Sequence, residues 1–207
     1  MDSANHSGEI VPENFQGKSV DLEENRELAT LDLAIKHFTT VCRRLKHPSQ
    51  WHNLTGVAGA MFTPHEILPD QEIKVGDFIK IDLPAPGSAA GEGHDWVKVA
   101  QLGELQDPLV EQSFSLTLEV TVNPAQPEKG IAHFFSDGAT STFIVKRKNK
   151  HVTVSYHGRN EKPNLSNEGM IDKVRNTVVA LGAIAGISEL QWKALVSGVN
   201  KLEDQEM

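Results

Sequence analysis

Apolar and polar residues alternate through most of the middle of this chain. Near its two ends the apolar residues instead recur every three or four positions. Ile79, Ile81 and Leu83 alternate with Lys80 and Asp82, and Phe114, Leu116, Leu118, Val120 and Val122 alternate with Ser115, Thr117, Glu119 and Thr121. Val152, Val154 and Tyr156 alternate in the same way with Thr153, Ser155 and His157. A period of two turns one side of an extended strand toward a core and the other toward water. Trp96–Leu102, Ile131–Phe135 and Thr140–Lys146 complete a set of about six strands, the last two flanking Asp137-Gly138 as a hairpin turn. One wet face and one buried face implies antiparallel pairing.

The ends read as helices. Asp21 with Glu24 resembles an N-cap and its back-reaching partner, and Leu28, Leu31, Ile35, Phe38, Cys42 and Leu45 follow at helical spacing. Arg43, Arg44 and Lys46 fall in the last turn and Pro48 ends it, which predicts a helix over 21–47. Toward the C-terminus, Ile171, Val174, Val178, Leu181 and Ala185 form a stripe that stops at Gly186. Ser188 and Gln191 then read as a capping box opening a second helix with Trp192, Leu195, Val196 and Val199 on its apolar face. The expected fold is therefore α+β. It is an antiparallel meander sheet or small curled barrel of about six strands over 77–158, covered by one N-terminal helix and two C-terminal helices over 167–201. Residues 1–20 read as a flexible leader, 21–202 as a single domain and 203–207 as a frayed tail.

Composition narrows the class. With 207 residues, 39% of them hydrophobic, the chain buries a core that needs no staple. Cys42 is the only cysteine, so no internal disulfide forms. Neither a signal peptide nor an apolar run of about 20 residues is present, and a cytoplasmic location is expected. The net charge of −8 argues against a nucleic-acid partner, whose backbone demands many cations. Residues 146–165 reverse the sign, with six basic residues against one acidic, and Lys146-Arg147-Lys148-Asn149-Lys150 reads as a solvated hairpin tip.

Candidate chemistry concentrates in Tyr156-His157-Gly158-Arg159-Asn160-Glu161-Lys162-Pro163-Asn164, expected as a loop after the last strand. Arg159, Asn160, Glu161 and Asn164 form the expected binding surface, for a protein partner or a small anionic ligand that Arg159 would grip. The leading reading is a non-catalytic binding or assembly protein. Beside it stands a small enzyme or small-molecule carrier with a pocket between the sheet and the C-terminal helices, in which His157 and Glu161 act as acid and base and Arg159 holds an anionic substrate. The seam of the 21–47 helix is expected to pack against the protein's own sheet, with a second copy as the alternative partner. Pro84–His94 reads as a flexible hairpin loop without the features of a phosphate cradle. No metal or cofactor is expected. His133, Asp95, His94 and Asp137 would converge if the sheet curls, yet their spacing matches no ligand set, and Cys42 reads as inert packing.

Overall fold

The computed structural model describes residues 10–55, 61–68, 70–82, 88, 90–107, 110–164 and 177–203. The elements run β1 (Lys18–Glu27), α1 (Leu31–Lys46), a short α2 (Trp51–Thr55), β2 (Met61–His65), β3 (Phe78–Asp82), β4 (Asp95–Asp107), β5 (Glu111–Val120), β6 (Thr140–Lys148), β7 (His151–Glu161) and α3 (Thr177–Val199). All seven strands join one antiparallel sheet in the order β1-β7-β6-β5-β4-β3-β2. From β2 to β7 it is a meander, and β1 returns to pair with β7. The fold is α+β, as the alternation implies, and the sheet stays open with β1 and β2 as its edges.

The N-terminal helix begins ten residues later than Asp21. Val20, Leu22, Glu24 and Arg26 turn inward while Asp21, Glu23, Asn25 and Glu27 stay exposed, a period of two that makes 18–27 a strand. The acids that imitate a helix's first turn instead blunt an edge strand against further pairing. The true N-cap is Thr30, whose hydroxyl accepts the Leu33 N–H at 3.2 Å. The buried stripe of α1 is Ala34, His37, Phe38, Val41, Cys42 and Leu45, and it packs on β6, β7 and α3 of the same chain. Of the expected seam, Leu28, Phe38, Cys42 and Leu45 enter the internal core, whereas Leu31 stays exposed. Residues 18–20 of the expected leader belong to β1, and Phe15 and Gln16 are tied to Asn160.

The C-terminal helices are one. α3 runs from Thr177 to Val199 straight through Gly186 and Ser188, so the expected stop and capping box do not form. A Cβ on Gly186 would meet nothing within 4 Å, so the residue costs helix propensity of about 1 kcal/mol without breaking the element. Ile171 and Val174 lie outside the described residues. The end of α3 is fastened to α1: Arg44 Nη1 donates to Val199 O at 2.8 Å, and His37 Nε2 meets Asn200 Oδ1 at 2.9 Å. A cation on the last carbonyls also suits the helix dipole. Gly198 permits the approach of α2, because a Cβ there would collide with the Leu54 backbone.

Two further expectations change. Ile131–Phe135 is not a strand; its groups make single bridges, Val122 with Ile131 and Phe135 with Pro163, across the end of the sheet. The turn at Asp137-Gly138 is present, with Gly138 at φ 83°, but joins that crossing segment to β6. The basic tip turns at Asn149, φ 54°, and its Arg147 points inward, fully buried, with Nε on Gln112 Oε1 at 2.7 Å and Nη1 on Asn149 O at 3.1 Å. Period two explains this: Phe143, Val145 and Arg147 share the concave face.

That concave face carries the core. Trp192 of α3 stacks on Tyr156 at 5.4 Å and 19°, meets Phe143 edge-on at 5.4 Å, and lies 5.7 Å from Phe62. Trp51 closes the cluster against Phe62 and Phe143. Among the described residues no helix is long and apolar enough to cross a membrane.

Candidate functional site

Polar groups gather where β4 and β6 begin and β5 and β7 finish. The register makes these neighbours: Val97 pairs with Val120, Glu119 with Thr140, and Thr140 with Arg159. The segment 131–135 crosses this end of the sheet. Trp96 N–H donates to Ala132 O at 2.7 Å on one side, and Asn164 N–H to Phe134 O at 2.8 Å on the other. Between the crossing segment, the concave face and the middle of α3 lies a cavity of about 20 Å³, lined by Asp95, His133, Thr140, Ser141, Gln191 and an apolar wall that includes Phe134 and Trp192. That is room for roughly one water-sized group.

Asp95 dominates the cavity. Its residue is 1% exposed, and neither carboxyl oxygen has a hydrogen-bond partner among the described residues. Burial pushes its pKa up to about 7; the backbone N–H groups of Ser88 and Phe134 approach it and counter this only in part, short of hydrogen-bond geometry. Gln191, lining the same cavity, also has its Nε2 buried without a hydrogen-bond partner among the described residues. Native interiors pair nearly all such groups, so two residues left in this way around one cavity call for an explanation.

His133 stands beside them in a different state. Full burial drives its pKa down to about 3, so the ring is neutral. The Phe135 N–H donates to its Nδ1 at 3.0 Å, which places the ring proton on Nε2. Stacking on Phe134 at 4.7 Å and Phe135 at 5.7 Å holds the ring flat.

A short polar chain adjoins the cavity. Tyr156 donates its proton to Glu161 Oε1 at 3.3 Å, so the 3.1 Å contact with Ser141 is a donation from the serine. Burial, then the Glu161 charge, pushes the Tyr156 pKa well above 10, and burial raises that of Glu161. Glu161 reaches this side through a bulge. Lys18 pairs with Glu161 and Val20 with Gly158, so β7 spends one residue more than β1, and Asn160 takes a φ of 58°. A Cβ at Gly158 would strike the Glu161 carboxylate, so only glycine leaves that path open.

The residues singled out in the sequence therefore divide. The stretch 158–161 is the end of β7 rather than a loop. Glu161 sits by the cavity's polar chain. His157 and Arg159 lie on the opposite face of the sheet from Tyr156, by alternation, and cannot enter a pocket under α3. Arg159 does not pair with Glu161: its Nη2 donates to Asp21 Oδ1 at 2.8 Å and its Nη1 to Gly158 O at 2.8 Å. His157 bridges Asp21 Oδ1 at 2.6 Å and Ser155 Oγ at 3.0 Å. Burial would raise the Asp21 pKa, but hydrogen bonds from Arg159 and His157 outweigh it and lower it below 3.8. The order serine–histidine–carboxylate is that of a nucleophile chain. Here Arg159 shares the carboxylate oxygen, and the described cavities lie elsewhere.

Asn160 and Asn164 are buried ties. Asn160 Oδ1 accepts the Phe15 and Gln16 N–H groups at 2.9 and 3.2 Å. Asn164 Nδ2 donates to Ile131 O at 3.3 Å and His133 O at 3.1 Å, which positions His133. Asn164→Ala should cost about 1–3 kcal/mol, because two buried carbonyls lose a donor. Urea unfolding would measure the loss, and the His133 ring signals should shift with it.

Of the four residues expected to converge, Asp95 and His133 line the cavity, whereas His94 turns Nδ1 toward Asp82 at 3.7 Å. Among the described residues no three metal-ligating side chains cluster. Cys42 is buried, and burial pushes its thiol up to about 12. Residues 83–87 and 89 of the Pro84–His94 loop lie outside the described residues. Gln191 is not legible as a site residue in the sequence, since it becomes one only when α3 docks on the sheet. A second cavity, of about 280 Å³, opens between α1 and the β4–β5 hairpin around Lys46, whose ammonium meets Glu104 at 2.8 Å.

No protein-family profile matches this chain, and neither does any curated protein sequence. Solved structures do align with it. Ginseng major latex-like protein 151 from Panax ginseng is 15% identical, with 87% of this chain and 99% of that one covered and a TM-score of 0.38. Protein Ms6760 from Mycobacterium smegmatis is 15% identical over 84% and 87% of the two chains, with a TM-score of 0.39. A protein of Thermus thermophilus is 13% identical over 88% and 97%, with a TM-score of 0.37. At such identities and scores no activity is carried from these structures to this chain.

Proposed function

We propose that this protein binds a small molecule between the concave face of its sheet and α3, at the end where β4 and β6 begin. One observation carries the reading: among the described residues the Asp95 carboxyl is buried without a hydrogen-bond partner and faces a cavity that it shares with Gln191, whose Nε2 is likewise unpartnered. A fold that only needed stability would gain by replacing this group with an apolar one. Apolar walls with a few convergent polar groups are also the usual make-up of a ligand site. Glu161 and Asn164 support it from behind, by holding Tyr156 and His133. His157, Arg159 and Asn160 fall outside it.

Protein-detected magnetic resonance with a small-fragment set tests the proposal. Binders should shift amide signals of residues 95–97, 118–120, 133–141 and 191–192. Fragments that bind none of these regions, or only the exposed face of β7, would remove it.

Proton transfer is a second reading, and the Asp95 pKa of about 7 favours it, since an acid–base group works best near ambient pH. A turnover whose rate follows the Asp95 titration and is lost in Asp95→Asn would establish it.

A further inference from the structure

We infer that the head group this cavity receives is a protonated amine. The inference rests on the binding reading above and adds the chemical class of the ligand.

Three observations converge on it. First, no lysine, arginine or histidine pairs with Asp95 among the described residues. The nearest histidine in sequence, His94, faces Asp82, and His133 accepts a backbone N–H in a site that keeps it neutral. A buried carboxylate lacking a countercharge is matched by a ligand that brings one. An alcohol would supply one hydrogen bond and leave the charge uncompensated, and an anion would add a second negative charge. Second, the walls are aromatic. Phe134, Phe135 and Trp192 line the cavity, and ring faces attract cations while repelling anions. Third, the space of about 20 Å³ suits a group the size of a water molecule, which an ammonium is and a guanidinium or quaternary amine is not. An ammonium has three donors. Asp95 offers two oxygens with no hydrogen-bond partner among the described residues.

The sequence pattern predicts an anion at Arg159. The guanidinium instead serves Asp21 and the backbone, so charge complementarity at the cavity runs the other way.

Three probes of one size separate the cases: n-butylammonium, n-butanol and butyrate, each titrated calorimetrically into the full-length protein at pH 8. Butylammonium is expected to bind at least about 10-fold tighter than butanol, as a charge-assisted hydrogen bond warrants, with butyrate weakest. In Asp95→Asn that preference should vanish while butanol binding persists. Equal binding of alcohol and amine, or a preference that survives Asp95→Asn, overturns the amine assignment and leaves the cavity as a binding site. If none of the three binds, the binding proposal falls together with the amine.

Discussion

Replacing Trp192 by Ala is expected to destabilise the protein by about 3–5 kcal/mol, the usual cost of emptying a buried aromatic site. Trp192 is 5% exposed and touches aromatic rings from β2, β6 and β7, so it seats α3 on three strands at once. Its neighbours cannot collapse into the void, because each is itself anchored in the sheet. The loss should appear as a lower urea midpoint with little change in slope. Because the void would be apolar on most sides, indole should bind it and restore part of the stability in proportion to its concentration. A variant that unfolds at the wild-type midpoint would show that α3 is held by its C-terminal fastening alone.

Asp95→Asn should act in the opposite direction, and its effect should depend on pH. The folded carboxyl titrates at about 7 and the unfolded one at its ordinary value of 3.8. Below pH 3.8 both states hold the proton and the group contributes nothing to the difference. Between about 4 and 7 only the folded state holds it, so stability falls as pH rises, by roughly 1.4 kcal/mol per unit, and then stays constant. His133 slopes the other way. Its folded pKa of about 3 lies below the usual 6.5, so it removes stability as pH falls from 6.5 toward 3. In the shared window, about pH 4 to 6.5, the two contributions offset each other. Asp95→Asn removes one of them. The variant should match the wild type near pH 4 and exceed it by up to about 4 kcal/mol at pH 8. Urea unfolding at pH 4, 6 and 8 measures this, and a difference that does not change with pH would place Asp95 in contact with water. Stability gained by removing a buried charge is a common signature of a group kept for function.

Much of the architecture can be read from alternation. β3, β4, β5, β6 and β7 all show it, and antiparallel pairing follows from one face being polar, whereas alternation alone does not decide between an open sheet and a barrel. β1 is hidden because Asp21, Glu23 and Glu24 satisfy the rules for a helix start as well as those for a charged edge strand; pairing with β7 decides between them. β2, with Pro64 in the middle of five residues, carries no periodic signal and is held by register with β3. The candidate site is mostly illegible. Period two correctly places His157 on the polar face, but it cannot foresee the extra residue at Asn160 that swings Glu161 to the other side. Asp95 looks like any strand-start acid. It becomes a buried one only because residues 131–135 cross over it, and that path depends on Asn164, thirty residues downstream.

The fastening of α3 at Val199 and Asn200 has a mechanical consequence. The helix is a rigid rod pinned near its last turn, and Trp192 lies seven residues, or about 10 Å, from the pin. A tilt of about 10° around that pivot would lift Trp192 from Tyr156 by about 2 Å, roughly half the width of a methylene, and lift the residues toward Thr177 further still. The room for whatever trails behind a bound head group would then be set by the lever's angle, with both the sheet and the latch left as they are.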